Sequence, residues 1–327
     1  MKICIVGGTG NISQSIVRLL LEKGHEITCF NRGQSGRQIP EGVRQIIGDR
    51  KDRTSFEYKM QQEKFDAAID MIGFTAEDAE SCIRAFRGVS CFIQTSTVCT
   101  YGIKYDYLPV EETHPLRPIT EYARCKAAAD NKSIEASHRE KFPVVIIKPS
   151  TTYGPVQGMV RQVCWDFSWI DRVKKGKPIL VCGDGNALHQ HLHVDDIAKA
   201  FAGVLGKEHT LGQTYNAVNR GYTTWTDYHT AAGKILGRPV DLVGIPFNQL
   251  KKLNVPDFGI CEEIFAHHIY YSSEKLFKDV PEFKPEISLE KGMSQVFEAM
   301  EKENRIPNSD EVLWEDQIIN KYQQLFN

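Results

Sequence analysis

The sequence lacks the features that mark most special classes of protein. None of its nine cysteines forms a C-x-x-C pair, which removes the usual spacing of a zinc knuckle or a dithiol redox centre. Several sit in apolar runs, so they read as small buried hydrophobes in a reducing compartment, and no metal site is expected. Charge of one sign is missing too. Forty Lys and Arg stand against 42 Asp and Glu, a formal net charge of −2, and nothing points to extended nucleic-acid binding or to an anionic membrane. No apolar run is long enough to span a bilayer, and no repeat or low-complexity tract interrupts the chain. Met1 to Ile5 enters a strand-like run with no charged leader, which makes a cytoplasmic location the expectation. What remains is ordinary globular composition: 327 residues, 41% hydrophobic and 25% charged.

Within that composition, strands and helices alternate. Lys2–Val6, His25–Phe30, Val43–Ile47, Phe65–Ile72, Val89–Gln94 and Pro143–Lys148 are short β-rich runs, while 12–21, 77–86 and 119–135 carry a helical period. This spacing predicts an α/β fold, a doubly wound Rossmann-type parallel sheet. After Gly154 the pattern loosens, and the stretch from about 240 to 327 reads as a smaller mixed lobe. The expected division is a dinucleotide-binding domain over 1–150, its core extended by about 190–220, interleaved with a mainly substrate-binding lobe over 151–327.

Between the first strand and the first helix lies Gly7-Gly8-Thr9-Gly10-Asn11-Ile12-Ser13. A dinucleotide's pyrophosphate needs backbone N–H donors at a helix N-terminus with no side chain in the way. Gly7 suits the tight turn and Gly10 the close approach; Ser13 stands where a third glycine is usual. At the end of the second strand, the place for an acid on the adenosine ribose holds Asn31 and Arg32 instead. A guanidinium pairs well with a 2′-phosphate, so NADP is favoured over NAD, with a plain solvated loop charge as the competing reading. Asp49 in Gly48-Asp49-Arg50 is a candidate acceptor for the adenine amino group.

Further on, Thr97 follows the fifth strand, and Tyr122 and Lys126 lie four apart, on one helix face. An ammonium beside a phenol lowers the phenol's pKa. A tyrosine so tuned exchanges a proton with an alcohol or carbonyl, and a neighbouring hydroxyl holds the substrate oxygen. Alone, Y-x-x-x-K is commonly an ordinary surface pair; here the order behind the glycine turn gives it weight.

Taken together, GGTGNIS at 7–13, STVCTYG at 96–102, YARCK at 122–126, KPSTTYGP at 148–155 and HVDDIAKA at 193–200 resemble the extended short-chain dehydrogenase/reductases, the NAD-dependent epimerase/dehydratase family, over about two thirds of the chain. The resemblance implies Thr97, Tyr122 and Lys126 as the catalytic set. With the strand ends, it gives cofactor contacts at Gly7, Thr9, Gly10, Asn11, Ile12, Asn31, Arg32, Asp49, Arg50, Met71, Lys126 and Pro149. Substrate contacts are expected at Thr151, Tyr153 and His189, and relatives of this kind often pair as homodimers. The implied activity is epimerisation, or reduction and dehydrogenation, of a sugar-like alcohol or ketone.

The departures from the family pattern matter as well. Sugar dehydratases carry an Asp-Glu pair after the threonine, whereas this chain has Val98 and Cys99, which counts against 4,6-dehydration. Thr151 replaces an asparagine, and His189 falls where nucleotide-sugar epimerases place an arginine on the diphosphate; Arg161, Arg172 or Lys174 are candidates to replace it. CFNRG at 29–33 and the histidines before HVDD resemble an atypical branch that includes chloroplast stem-loop-binding proteins. The alternative reading is therefore a catalytically weak dinucleotide-binding regulator or RNA binder, against which the balanced charge argues. His189, His191 and His193 share one strand face and are weighed as zinc ligands with little weight, since His193 matches a structural histidine of the motif.

Overall fold

The apolar runs become one parallel sheet. In a computed structural model of the chain, which describes residues 1–324, β1 (Lys2–Val6), β2 (Glu26–Asn31), β3 (Arg44–Ile47), β4 (Ala67–Asp70), β5 (Cys91–Thr95) and β6 (Val144–Pro149) join a seventh strand at Thr214–Ala217. Across the sheet the order is Thr214–Ala217, β6, β5, β4, β1, β2, β3, with every pair parallel. Chain direction through the sheet reverses between β1 and β4, the switch point of a Rossmann fold, where the carboxyl ends of the strands open a crevice. The doubly wound sheet expected from the sequence is present. The inner strands β1, β4, β5 and β6 are buried almost throughout because helices cover both faces, whereas the edge strand β3 is largely exposed.

Local signals explain the connections. α1 (Asn11–Glu22) turns Ser13, Ser15, Ile16, Val17 and Leu20 inward, and α3 (Ala76–Ala85) starts at a Thr75/Asp78 capping box. α4 (Glu121–Glu140) is capped by the Thr120 hydroxyl, which accepts from Ala123 N–H. α2 (Arg53–Gln61) is not foreseen by periodicity, because only Phe56 and Met60 of its nine residues are buried. Those two enter a cluster in which the rings of Phe30, Phe56, Phe86, Phe92 and Phe142 meet edge to face or tilted. The alternation at 189–194 also resolves differently from a single strand. Two short strands, Leu188–His189 and His191–His193, flank Gln190, and a helix begins at Val194.

The chain divides into two units. Unit 1 comprises Met1–Thr152, Val194–Val218 and Tyr271–Glu286, and unit 2 comprises Tyr153–His193, Asn219–Tyr270 and the described residues from Ile287 on. In unit 1 the helix Val194–Val204 packs on α1, where Ser15 Oγ donates to Asp195 Oδ1 at 2.7 Å. Unit 2 is built on the strand pair Ile179–Cys182 and Leu242–Ile245 and on the helices Ser168–Lys175, Trp225–Ile235, Leu289–Lys302 and Trp314–Gln323. Among the described residues no helix is long and apolar enough to cross a membrane.

Candidate active site

The glycine turn follows β1 and opens α1. Gly7 has φ +90° and donates its N–H to Phe30 O at 2.9 Å; an added Cβ would stand 2.6 Å from Ile72 Cγ2. Gly8, unremarked in the motif, is needed for packing, because a Cβ there would lie 2.3 Å from Cys29 Sγ on β2. Gly10 differs from both. It is the N-cap of α1 in extended conformation, makes no side-chain cap, and a Cβ would meet only Ser13 Oγ, at 3.2 Å. No acid occupies the first turn of α1. The uncapped N–H groups and the open cradle at Gly10 fit a dinucleotide pyrophosphate. Asn11 and Ile12 are half-buried at this end, as is Thr9.

At the next strand end, Asn31 accepts from Gly33 N–H at 2.9 Å and from Gln45 Nε2 at 2.6 Å, while its buried Nδ2 has no partner. That orphaned donor also fits a ligand hydroxyl. Arg32 is exposed. Five residues on, Arg37 donates to Thr9 O at 2.9 Å, bringing a second guanidinium to the glycine turn that no sequence motif marks. Asp49 is exposed and accepts from Lys51 N–H at 2.9 Å.

Arg50, expected among the cofactor contacts, has its side chain turned into the protein. It is buried, with Nη1 2.8 Å from both carboxylate oxygens of Asp70 and Nη2 donating to Asp78 O at 3.1 Å. Its guanidinium is thus tied to the end of β4 and to α3. Asp70, which no motif singled out, also receives Ile72 N–H at 3.0 Å and so shapes the loop after β4. In that loop Met71 is half-buried, its sulfur accepting from Thr95 Oγ1 at 3.2 Å.

Thr97, Tyr122 and Lys126 come together at the carboxyl end of β5. Thr97 is extended (φ −160°, ψ 148°) and caps a short 3₁₀ turn, Val98–Tyr101; its Oγ1 accepts from Cys99 N–H at 3.2 Å. With that oxygen already accepting, its O–H is the part left to donate. Lys126 is buried beneath, with Nζ donating to Thr95 O at 2.7 Å and Gly73 O at 2.8 Å, and lies 4.8 Å from the centroid of the exposed Phe74 ring. Burial pushes this ammonium down to about 8, opposed by Asp70 and Asp130. Tyr122 keeps 46% of its surface exposed. Enclosure of the rest, with the Cys99 thiol nearby, pushes the phenol up to about 12, and the Thr97 hydroxyl pulls it the other way. The lowering expected from Lys126 is therefore overturned. The ammonium is 6.0 Å from the centroid of the phenol ring and gives two of its three N–H donors to backbone carbonyls, so desolvation wins. Pro149 is buried at the end of β6, and Thr151 follows, half-buried.

The substrate candidates of unit 2 are placed otherwise than expected. His189 is fully buried, its ring 4.7 Å from Trp225 and 4.9 Å from Phe265, which leaves no exposed face for a diphosphate. Tyr153 is buried against His193, at 5.4 Å, and lies beside Gly292, where a Cβ would stand 2.5 Å from its hydroxyl. Arg161 and Arg172 are buried on Glu315, and Arg172 also on Asp316 at 2.6 Å; Lys174 pairs with Glu301. All three cations have carboxylate partners in the chain. Among the described residues no group of three or more His, Cys, Asp or Glu is arranged to hold a metal ion.

Comparison with known proteins agrees with the fold. The 2′-dehydrokanamycin reductase of Streptomyces kanamyceticus is 27% identical over 246 residues, 75% of this chain and 70% of that protein. The chloroplast stem-loop binding protein of 41 kDa b of Arabidopsis thaliana is 29% identical over 311 residues, 90% and 78% of the two chains. Among solved structures, the UDP-glucose-4-epimerase of Stenotrophomonas maltophila, with bound NAD and formylated UDP-arabinopyranose, shares the fold with a TM-score of 0.77 at 16% identity, covering 93% of this chain and 99% of that one. Residues 3–217 match the model of the NAD dependent epimerase/dehydratase family, and the chain belongs to that family of epimerases, dehydratases and reductases.

Proposed function

We propose that the protein reduces a sugar-like ketone, or epimerises a sugar-like alcohol through such a ketone, with Tyr122 moving the proton. The observation that carries this reading is the convergence of Thr97, Tyr122 and Lys126 on the strand edge that also bears the glycine turn. The nicotinamide, when bound, supplies or takes the hydride at the substrate carbon. Gly7, Thr9, Gly10, Asn11 and Ile12 would hold the pyrophosphate, Asn31, Arg32 and Asp49 the adenosine, and Met71, Lys126 and Pro149 the nicotinamide end. Thr97 donates its O–H to the substrate oxygen. A phenol held near 12 keeps its proton at neutral pH, so Tyr122 is set to give it to a carbonyl oxygen as that carbon is reduced. The likeness to a reductase supports the same direction. Val98 and Cys99 carry no carboxylate, and 4,6-dehydration has no acid–base pair there. Arg32 and Arg37, with Asn31 in place of an acid at the end of β2, favour NADP over NAD.

The likeness to a stem-loop binding protein supports a second reading, a binder with little turnover. One experiment separates the two. NADH and NADPH are titrated by fluorescence, and hydride transfer to a panel of ketoses and nucleotide-linked oxo-sugars is followed at the reduced-nicotinamide band. Turnover should fall by about 10²–10⁴-fold in Tyr122→Phe while cofactor affinity stays within about twofold, and Arg32→Ala should remove a preference for NADPH. Full activity in Tyr122→Phe contradicts the assignment, and stem-loop RNA binding without any turnover favours the second reading.

A further inference from the structure

Beneath Thr97 runs a line of buried polar side chains that the proposed chemistry does not use. Asp130 lies one turn beyond Lys126 on α4 and is 1% exposed; Lys148 on β6 is 3% exposed. Lys148 Nζ donates to Asp130 Oδ2 at 2.5 Å and to Thr100 Oγ1 at 2.7 Å. Thr100 Oγ1 donates onward to the carbonyl of Thr97 at 2.9 Å. The Asp130 carboxylate also accepts from Gln94 Nε2 and Ser96 Oγ, each at 2.7 Å. One ion pair therefore gathers β5, the 3₁₀ turn after it, α4 and β6.

Stability alone is a weak reason for such a pair, since apolar replacements of buried ion pairs are often neutral or stabilising. Its geometric consequence is specific. Ser96 is held on one side of Thr97 and Thr100 on the other, so both flanks of residue 97 are referred to a single fixed charge. A satisfied buried network of this kind admits one arrangement, and reacting groups lose rate steeply when displaced by about 1 Å.

We propose that Asp130, Lys148 and Thr100 form a positioning relay that fixes the backbone of Thr97 and so holds its hydroxyl against Tyr122. The inference rests on the proposed pairing of Thr97 with Tyr122 at the reacting oxygen. The three relay members act through Thr97 and are positioning residues.

The test reads the phenol directly, without turnover. The full chain is labelled with tyrosine carrying ¹³C at Cζ, and the Tyr122 signal among the twelve tyrosines is identified by its loss in Tyr122→Phe. Thr100→Val keeps the side-chain shape and removes the donor to Thr97. The Tyr122 signal should move as it does in Thr97→Val, and Thr100→Ser should restore it. Should Thr100→Val fail to fold, Thr100→Ala, which leaves the Asp130 and Lys148 charges in place, should show the same displacement. A Tyr122 signal unmoved in a folded relay variant overturns the proposal. With a substrate in hand, kcat in the relay variants should fall about 10- to 100-fold with KM within about twofold. A displaced signal with unchanged kcat would instead overturn the role of Thr97 in the reaction and leave the relay standing.

Discussion

Unit 1 and unit 2 bury titratable groups on different terms. In unit 1 the buried cations each end on named acceptors near the carboxyl edge of the sheet: Arg50 on Asp70, Lys148 on Asp130, and Lys126 on two backbone carbonyls. In unit 2 the comparable depth is occupied by neutral rings. His189, His191 and His229 pack among Trp169, Trp225 and Tyr228, with His191 stacked on Tyr228 at 4.7 Å and His229 edge-on to Trp169 at 5.0 Å. Among the described residues, Arg161, Arg172 and Glu315 are the charged groups buried in that interior. A charge is worth burying where a reaction or a fixed geometry uses it, and elsewhere the interior is filled by groups that shed their charge.

The strongest way to break this contrast is to remove the carboxylate that unit 2 does bury. Glu315→Ala leaves Arg161 without its bidentate partner, and breaking a buried pair costs about 3–5 kcal/mol. Urea unfolding measures it, and a loss under about 1 kcal/mol would mean that the network is not what holds the terminal helix.

Acid sharpens the contrast next. Burial pushes His191 down to about 3, and His189 and His229 well below their usual value. A histidine whose folded value is depressed contributes full stability above about 6.5 and loses it as the pH falls towards the folded value. Each such ring costs about 1.4 kcal/mol per pH unit within that window. Melting temperatures should therefore drop steadily from pH 7 to pH 4, and His229→Phe should flatten the slope. An unchanged slope in His229→Phe would assign the acid loss to other groups.

The smallest expected effect belongs to the glycine turn of unit 1. Gly8→Ala puts a methyl into Cys29 Sγ and should cost about 1–3 kcal/mol by overpacking, recovered in Gly8→Ala/Cys29→Ala. Thermal unfolding of the pair checks it, and equal stability of Gly8→Ala and the parent would show that β2 yields.

Much of unit 1 was legible because its signals are local. The turn at 7–13 and the four-residue spacing of Tyr122 and Lys126 lie within single elements. The partners of Arg50 and Lys126 were not legible, since Asp70, Gly73 and Thr95 stand at the ends of other strands and meet them only once β4 lies between β1 and β5. His189 was not legible for the complementary reason. Its place before the HVDD motif suggests a substrate contact, but not that Trp225 and Phe265 enclose its ring.

By itself, then, the sequence determined the parallel α/β architecture, the helix that follows the glycine turn, and the residue types available at the carboxyl edge, because periodicity and turn chemistry act over a few residues. Only the tertiary structure decided which charges are free to meet a ligand and which are spent. Burial and pairing depend on neighbours far along the chain, and they turned Arg50 and Arg161 into internal partners, raised the phenol of Tyr122, and joined Asp130, Lys148 and Thr100 beneath Thr97.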